Sequence, residues 1–163
     1  MRYLDGTEAE DAERFIGIAA EEAKKSCCLR SQCGAIVVKG GKVIGRGFNS
    51  PPGNKKPSTC FKDDLPEDFI SDRTCCIHAE DRAVRDTLIN NKDKIRGSRI
   101  YFIRLKDGKI TRAGKPYCTM CSKMVLDAGI AEFVLWHKEG ICIYDTGEYN
   151  ELSFKYRKEL NSK

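Results

Sequence analysis

The chain has 163 residues, 40% apolar and 33% charged, and its 29 basic and 24 acidic side chains leave a formal net charge of +5. This is the balance of a globular protein long enough to bury an ordinary core, and no run of about 18 apolar residues is present to span a bilayer. The positive excess suits an anionic small molecule; nucleic-acid surfaces are usually more basic and more clustered than Lys55-Lys56 or Lys155, Arg157 and Lys158.

Residues Met1 to Glu8 contain no apolar core and do not read as a secretory signal, so the cytoplasm is the expected location. The nine cysteines, an odd number, then point to metal binding or burial rather than disulfides. From Glu8 to Lys25, apolar residues at Ala12, Phe15, Ile16, Ala19, Ala20 and Ala23 follow a helical period, with Thr7 and Glu10 placed as a capping box. Ala35 to Val38 and Val43 to Phe48 read as strands joined by a hairpin turn at Gly40-Gly41. The composition from Asn49 to Ile77 shifts to Pro, Lys, Asp and Ser, a long loop that is either a binding loop or a surface insertion. Helical spacing resumes over His78 to Leu88, with Ala79, Ala83, Val84 and Leu88 inward.

Arg99 to Leu105 is a strand, and Lys106 to Lys115 is a loop. Cys118 to Ala128 reads as a helix with Met120, Met124, Val125 and Ala128 available for packing and Gly129 as its stop. Ala131 to Trp136 returns to strand, followed by a short strand at Gly140 to Tyr144 and a helix over Tyr149 to Leu160. This order predicts one domain over 1–163, with a core of about 8–136 and a tail at 137–163. The architecture expected is a three-layer α/β/α sandwich around a mixed, about five-stranded sheet.

Chemistry concentrates in His78-Ala79-Glu80 and, forty residues on, Pro116-Tyr117-Cys118-Thr119-Met120-Cys121. Both groups stand at predicted helix N-termini, where the helix dipole and free amides favour thiolates, and cysteines three apart on a first turn face the same way. One imidazole and two thiolates suit zinc, and three protein ligands leave a fourth position for water, whose pKa the metal lowers. Glu80 is then spare to move protons, which is the equipment of a hydrolytic deaminase. Each half alone is weak, since Cys-x-x-Cys also serves as a redox dithiol or as half of a structural zinc site. The two together favour a catalytic zinc site, because no second ligand pair completes a structural one. His137 follows a strand without a partner motif and is expected at the surface.

His-x-Glu with Pro-Cys-x-x-Cys is the signature of zinc-dependent nucleobase deaminases. The chain resembles the cytidine and deoxycytidylate deaminase superfamily, closest to its deoxycytidylate branch. The likeness includes Cys33-Gly34-Ala35-Ile36-Val37-Val38, Gly45-Arg46-Gly47-Phe48-Asn49-Ser50-Pro51, Cys60, Arg73-Thr74 and Leu126-Asp127-Ala128-Gly129-Ile130. It covers about Glu10 to Trp136. Two departures stand out: Tyr117 separates a proline and cysteine that are adjacent in the family, and the tail from His137 has no match, although in relatives this region often closes the pocket.

The resemblance implies a zinc-dependent hydrolase acting on a cyclic amidine, in which His78, Cys118 and Cys121 hold zinc and Glu80 shuttles protons while water attacks C4 of a cytosine. It also implies that Ala79 binds the base through its amide and that Asn49 bonds the sugar, with Tyr117 and Phe48 as candidate stacking partners. Asn49 alternatively serves only its turn, and the aromatics only the core. A second, structural zinc occurs in some members, and Cys27, Cys28, Cys60, Cys75 and Cys76 are its candidates here, with burial as the alternative, the reading given to Cys33 and Cys142. The expected substrate is a cytosine nucleotide such as dCMP. Alternatives are another nucleobase or nucleoside, a tRNA or single-stranded DNA base, and a non-catalytic zinc- or nucleotide-binding role. Homo-oligomers, dimers or hexamers, are implied by resemblance, and no membrane partner is expected.

Overall fold

A computed structural model of the chain describes residues 1–65, 75–112 and 114–160, excluding the side chains of 157–160; Arg73-Thr74 lies outside the described residues. Within the described residues seven strands form one mixed sheet: β1 (Arg2–Tyr3), β2 (Gln32–Lys39), β3 (Lys42–Phe48), β4 (Arg99–Lys106), β5 (Lys109–Thr111), β6 (Glu132–His137) and β7 (Gly140–Asp145). Among the described residues four α-helices cover it: α1 (Gly6–Ala23), α2 (Ala79–Asn90), α3 (Thr119–Asp127) and α4 (Thr146–Leu160). The strand order is β1-β7-β6-β4-β2-β3, with β5 paired to β4, and only β4 and β6 run parallel. The two strands beyond the expected five, β1 and β5, are two- and three-residue edge pieces too short to show a period. β5 returns on β4 through Asp107-Gly108, both with positive φ, where a plain loop is expected from composition.

β2 is buried along nearly its whole length because both of its faces are covered. Ile36 and Val38 face α1, with Tyr101, Ile103, Leu105, Val134, Ile141 and Ile143 beside them. Cys33, Ala35 and Val37 face the other way, into the cluster built by Ala79, Ala83, Val84, Val125, Phe133 and Tyr149. One helix on one face and three on the other make the expected three layers. Glycines let the layers close: a Cβ at Gly34 would stand 2.0 Å from the Ala19 carbonyl oxygen, and one at Gly45 would stand 1.9 Å from Thr87 Oγ1.

Several local expectations are corrected. α1 starts at Gly6, with Asp5 at its N-cap and no side-chain cap, so Thr7 and Glu10 form no capping box. Pairing of β1 with β7, and the Leu4 amide on the Ile141 carbonyl, bring the chain into the helix earlier. Leu88 and Met120 are exposed, and Thr87, not Leu88, fills the α2 contact because Gly45 leaves room for it. His137 is buried, not at the surface: the β6–β7 hairpin folds it onto the Tyr144 hydroxyl at 2.7 Å. Among the described residues no helix is long and apolar enough to cross a membrane.

Candidate active site

His78 is the N-cap residue of α2 and Cys118 that of α3, so both enter the site from the amide-rich end of a helix. The Cys118 sulfur accepts the Cys121 amide at 3.4 Å, which caps α3 and holds the two sulfurs on one side. His78 Nδ1 lies 3.1 Å from Cys121 Sγ and 3.5 Å from Cys118 Sγ, and all three ligand atoms fall within 4.8 Å of one another. Bonds of about 2.3 Å to sulfur and 2.0–2.1 Å to nitrogen put tetrahedral zinc ligands about 3.5 Å apart, so this donor set fits zinc.

The hydrogen bond to Cys118 lifts the His78 imidazole to about 9 against the cost of burial. The shared hydrogen bond with Cys121 brings the Cys118 thiol down to about 4, and the same bond followed by burial pushes Cys121 up. One shared hydrogen bond thus drives the two thiols in opposite directions. A divalent ion held by these groups would compete with their protons, which would couple metal binding to proton release.

Glu80, in the first turn of α2, is only 6% exposed. Burial raises its pKa and the neighbouring His78 charge opposes the rise. Glu80 lies beside the three ligands and is not counted among them.

These groups open onto a cavity of about 440 Å³, within the roughly 300–1,000 Å³ typical of small-molecule sites. Its apolar walls include Ala79, Phe102, Leu135 and Tyr149. Glu80 is the only acidic residue lining it among the described residues, against four basic ones: Arg30, Lys62, Arg104 and Lys115. Tyr149 lies flat on Phe133, with ring centroids 4.0 Å apart, and holds α4 over the pocket. Tyr117 is half exposed and meets Tyr156 edge-on at 5.4 Å, so the inserted tyrosine and the tail helix share one rim.

Asn49 is buried at the cavity wall, with Oδ1 accepting the Cys33 amide at 2.7 Å and the Ser26 hydroxyl at 2.8 Å, while Nδ2 donates to the Ser31 carbonyl at 3.0 Å. Phe48 does not line the cavity; its ring carries the Arg82 guanidinium at 5.3 Å. Cys28, Cys60, Cys75 and Cys76 do line it, whereas the Cys27 thiol donates to the Asn54 carbonyl at 3.8 Å. Among the described residues, the only group of three or more metal-ligand side chains is His78, Cys118 and Cys121. Sequence reading passed over Phe102, Arg104, Leu135 and Tyr149. The first three are strand residues whose facing depends on register, and Tyr149 lies in a tail without a motif.

A family profile described as the cytidine and deoxycytidylate deaminase zinc-binding region matches residues 9–137. The deoxycytidylate deaminase of Mycobacterium phage D29 is 35% identical over 135 residues, 78% of this chain and 94% of that protein. The deoxycytidylate deaminase of Saccharomyces cerevisiae is 25% identical over 125 residues, which cover 74% of this chain and 35% of the yeast protein. Among solved structures, the dCMP deaminase of the cyanophage S-TIM5, in complex with dCMP and dUMP, superposes with a TM-score of 0.56 and 26% identity, over 78% of this chain and 82% of that one.

Proposed function

The chain belongs to the cytidine and deoxycytidylate deaminase family, and we propose that it hydrolyses dCMP to dUMP and ammonia. The observation that carries this reading is Glu80, a buried carboxylate beside the His78, Cys118 and Cys121 donor set, and the only acidic residue at the cavity among the described residues. The 35% identity to a phage deoxycytidylate deaminase along nearly that protein's whole length supports the choice of base and sugar.

Zinc held by His78, Cys118 and Cys121 would supply a Lewis acid and lower the pKa of water in the site. Glu80 takes one proton from the attacking water and passes it to N3 of the cytosine as the oxygen bonds to C4. It then delivers the second proton to the amino group, which leaves as ammonia. The buried setting raises the affinity of Glu80 for a proton, as a relay between water and a ring nitrogen requires. The Ala79 amide, at the first turn of α2, binds the base, and Tyr117 stacks at the rim. Asn49, with Oδ1 already serving two donors, positions the sugar through the wall it braces. Exposed Leu88 and Ile89 on α2, Met120 and Leu126 on α3 and Phe154 on α4 support homo-oligomeric assembly, which light scattering tests.

Ammonia release from a panel of cytosine and adenine bases, nucleosides, mono- and triphosphates and short oligonucleotides tests the substrate. Fastest turnover is expected with dCMP. Turnover of oligonucleotides without dCMP would overturn the reading.

A further inference from the structure

Arg82 stands two residues after Glu80 on α2, yet it does not line the cavity. Its stem crosses β3 at Gly47, where a Cβ would stand 2.8 Å from the Arg82 Cβ, and the guanidinium comes to rest over the Phe48 ring. Nη1 donates to Asn54 Oδ1 at 2.8 Å, and Nη2 is shared between the carbonyl oxygens of Ser50 at 3.4 Å and Pro51 at 3.3 Å. Nε is buried and makes no hydrogen bond among the described residues, so the head is held by its two outer nitrogens and the ring. A planar fork suits acceptors that diverge in this way; an ammonium, which is a single point, does not.

All three acceptors belong to one strip of chain, Asn49 to Asn54, that follows β3 directly. Asn49 and Ser50 are buried, and the strip ends in a turn with positive φ at Gly53 and Asn54. Ser50 Oγ donates to the same Asn54 Oδ1 at 2.5 Å, which closes the turn on itself. Ser50 also pairs with Ile77: its amide donates to the Ile77 carbonyl at 3.3 Å, and the Ile77 amide donates back at 2.9 Å. The strip is therefore tied to α2 on both sides of the chemistry, once just before His78 and once just after Glu80. A single backbone pair would leave it free to pivot; the Arg82 fork supplies the second fixed point. Within this strip only Asn49 lines the cavity.

Resting on the reading of this cavity as the site of deamination, we propose that Arg82 is a positioning residue of the reaction. Its fork pins the strip to the helix that carries Glu80, and so fixes how far the Asn49 wall stands from the reacting groups. Arg82 acts through that wall and not on the reacting atoms. Its loss should weaken binding of ground state and transition state alike, which raises KM and spares kcat.

Zinc-loaded wild type, Arg82→Lys and Arg82→Ala are to be compared for dCMP turnover and for amide hydrogen exchange over residues 49–54. Arg82→Lys keeps the charge and most of the stem, so it reports on the fork where Arg82→Ala folds poorly. Both variants should hold about one zinc per chain and keep kcat within about threefold, while KM rises about tenfold, the scale of a lost charged hydrogen bond. Exchange at the Ser50 and Asn54 amides should quicken about tenfold or more, with the α2 amides unchanged. Guanidinium chloride at non-denaturing concentration should return the KM of Arg82→Ala towards the wild-type value, and sodium chloride at equal ionic strength should not. An unchanged KM in both variants, or a loss carried by kcat instead, would overturn the assignment. Failure of the wild type to deaminate dCMP would count against the proposed reaction. The exchange comparison then decides the role of the fork alone, and equal rates over 49–54 in all three proteins would sink it.

Discussion

Gly47 of β3 lies so close to Ala79 of α2 that a Cβ on Gly47 would stand 2.2 Å from the Ala79 carbonyl oxygen and 2.4 Å from the Ala83 amide nitrogen. Those are backbone atoms, which cannot rotate aside. The same first turn of α2 carries Glu80 and follows directly on His78. Gly47 thus sets the distance between sheet and helix at the point where the chemistry is mounted.

Gly47→Ala should therefore displace the start of α2, at a cost of about 1–3 kcal/mol or more. Thermal unfolding and deamination are both expected to fall, whereas Gly114→Ala, where an added Cβ meets nothing within 4 Å, should change stability little. Equal melting temperatures for Gly47→Ala and wild type would contradict the close packing.

Removing the Glu80 carboxylate should leave the ligand trio intact. Glu80→Gln is expected to keep about one zinc per chain and to lose roughly 10²- to 10⁴-fold in kcat, the usual scale for a positioned acid–base group. Near-wild-type turnover in that variant would end the assignment of Glu80 as the proton carrier.

Zinc content distinguishes one site from two. About one equivalent per chain is expected from elemental analysis, and Cys118→Ser or Cys121→Ser should reduce it to a small fraction. Retention should also decline as pH falls, because the imidazole and both thiols regain protons that compete with the metal. Two equivalents that survive the loss of Cys121 would instead place a second ion among Cys28, Cys60, Cys75 and Cys76.

Tyr149 joins the tail to the core by stacking on Phe133 and sits in the cavity wall. Tyr149→Ala should destabilise the fold by about 3–5 kcal/mol, the range for deleting a buried aromatic ring, and raise KM for dCMP. Tyr149→Phe keeps the ring and should cost under about 1.5 kcal/mol. A Tyr149→Ala protein with wild-type melting temperature and KM would mean that α4 does not brace the pocket.

The donor set of His78, Cys118 and Cys121 was legible in the primary sequence because metal chemistry restricts residue type and spacing together. Helix α1 and the β2–β3 hairpin were legible because their apolar periods and the Gly40-Gly41 turn are local properties. Edge strands β1 and β5 were not, since two or three residues carry no period and owe their shape to the strand beside them. His137 was misplaced for a related reason: its burial depends on Tyr144 across a hairpin.

By itself the sequence determined which residues suit a metal centre: one histidine and two cysteines at spacings that fit zinc, with a carboxylate two residues after the histidine. Tertiary structure alone decided the rest of the pocket. Phe102, Leu135, Tyr149 and the cations Lys62 and Arg104 come from strands, a loop turn and the tail helix, far apart along the chain. Their convergence follows from strand register and from which face each helix covers, quantities set by burial across the whole sheet and carried by no short motif.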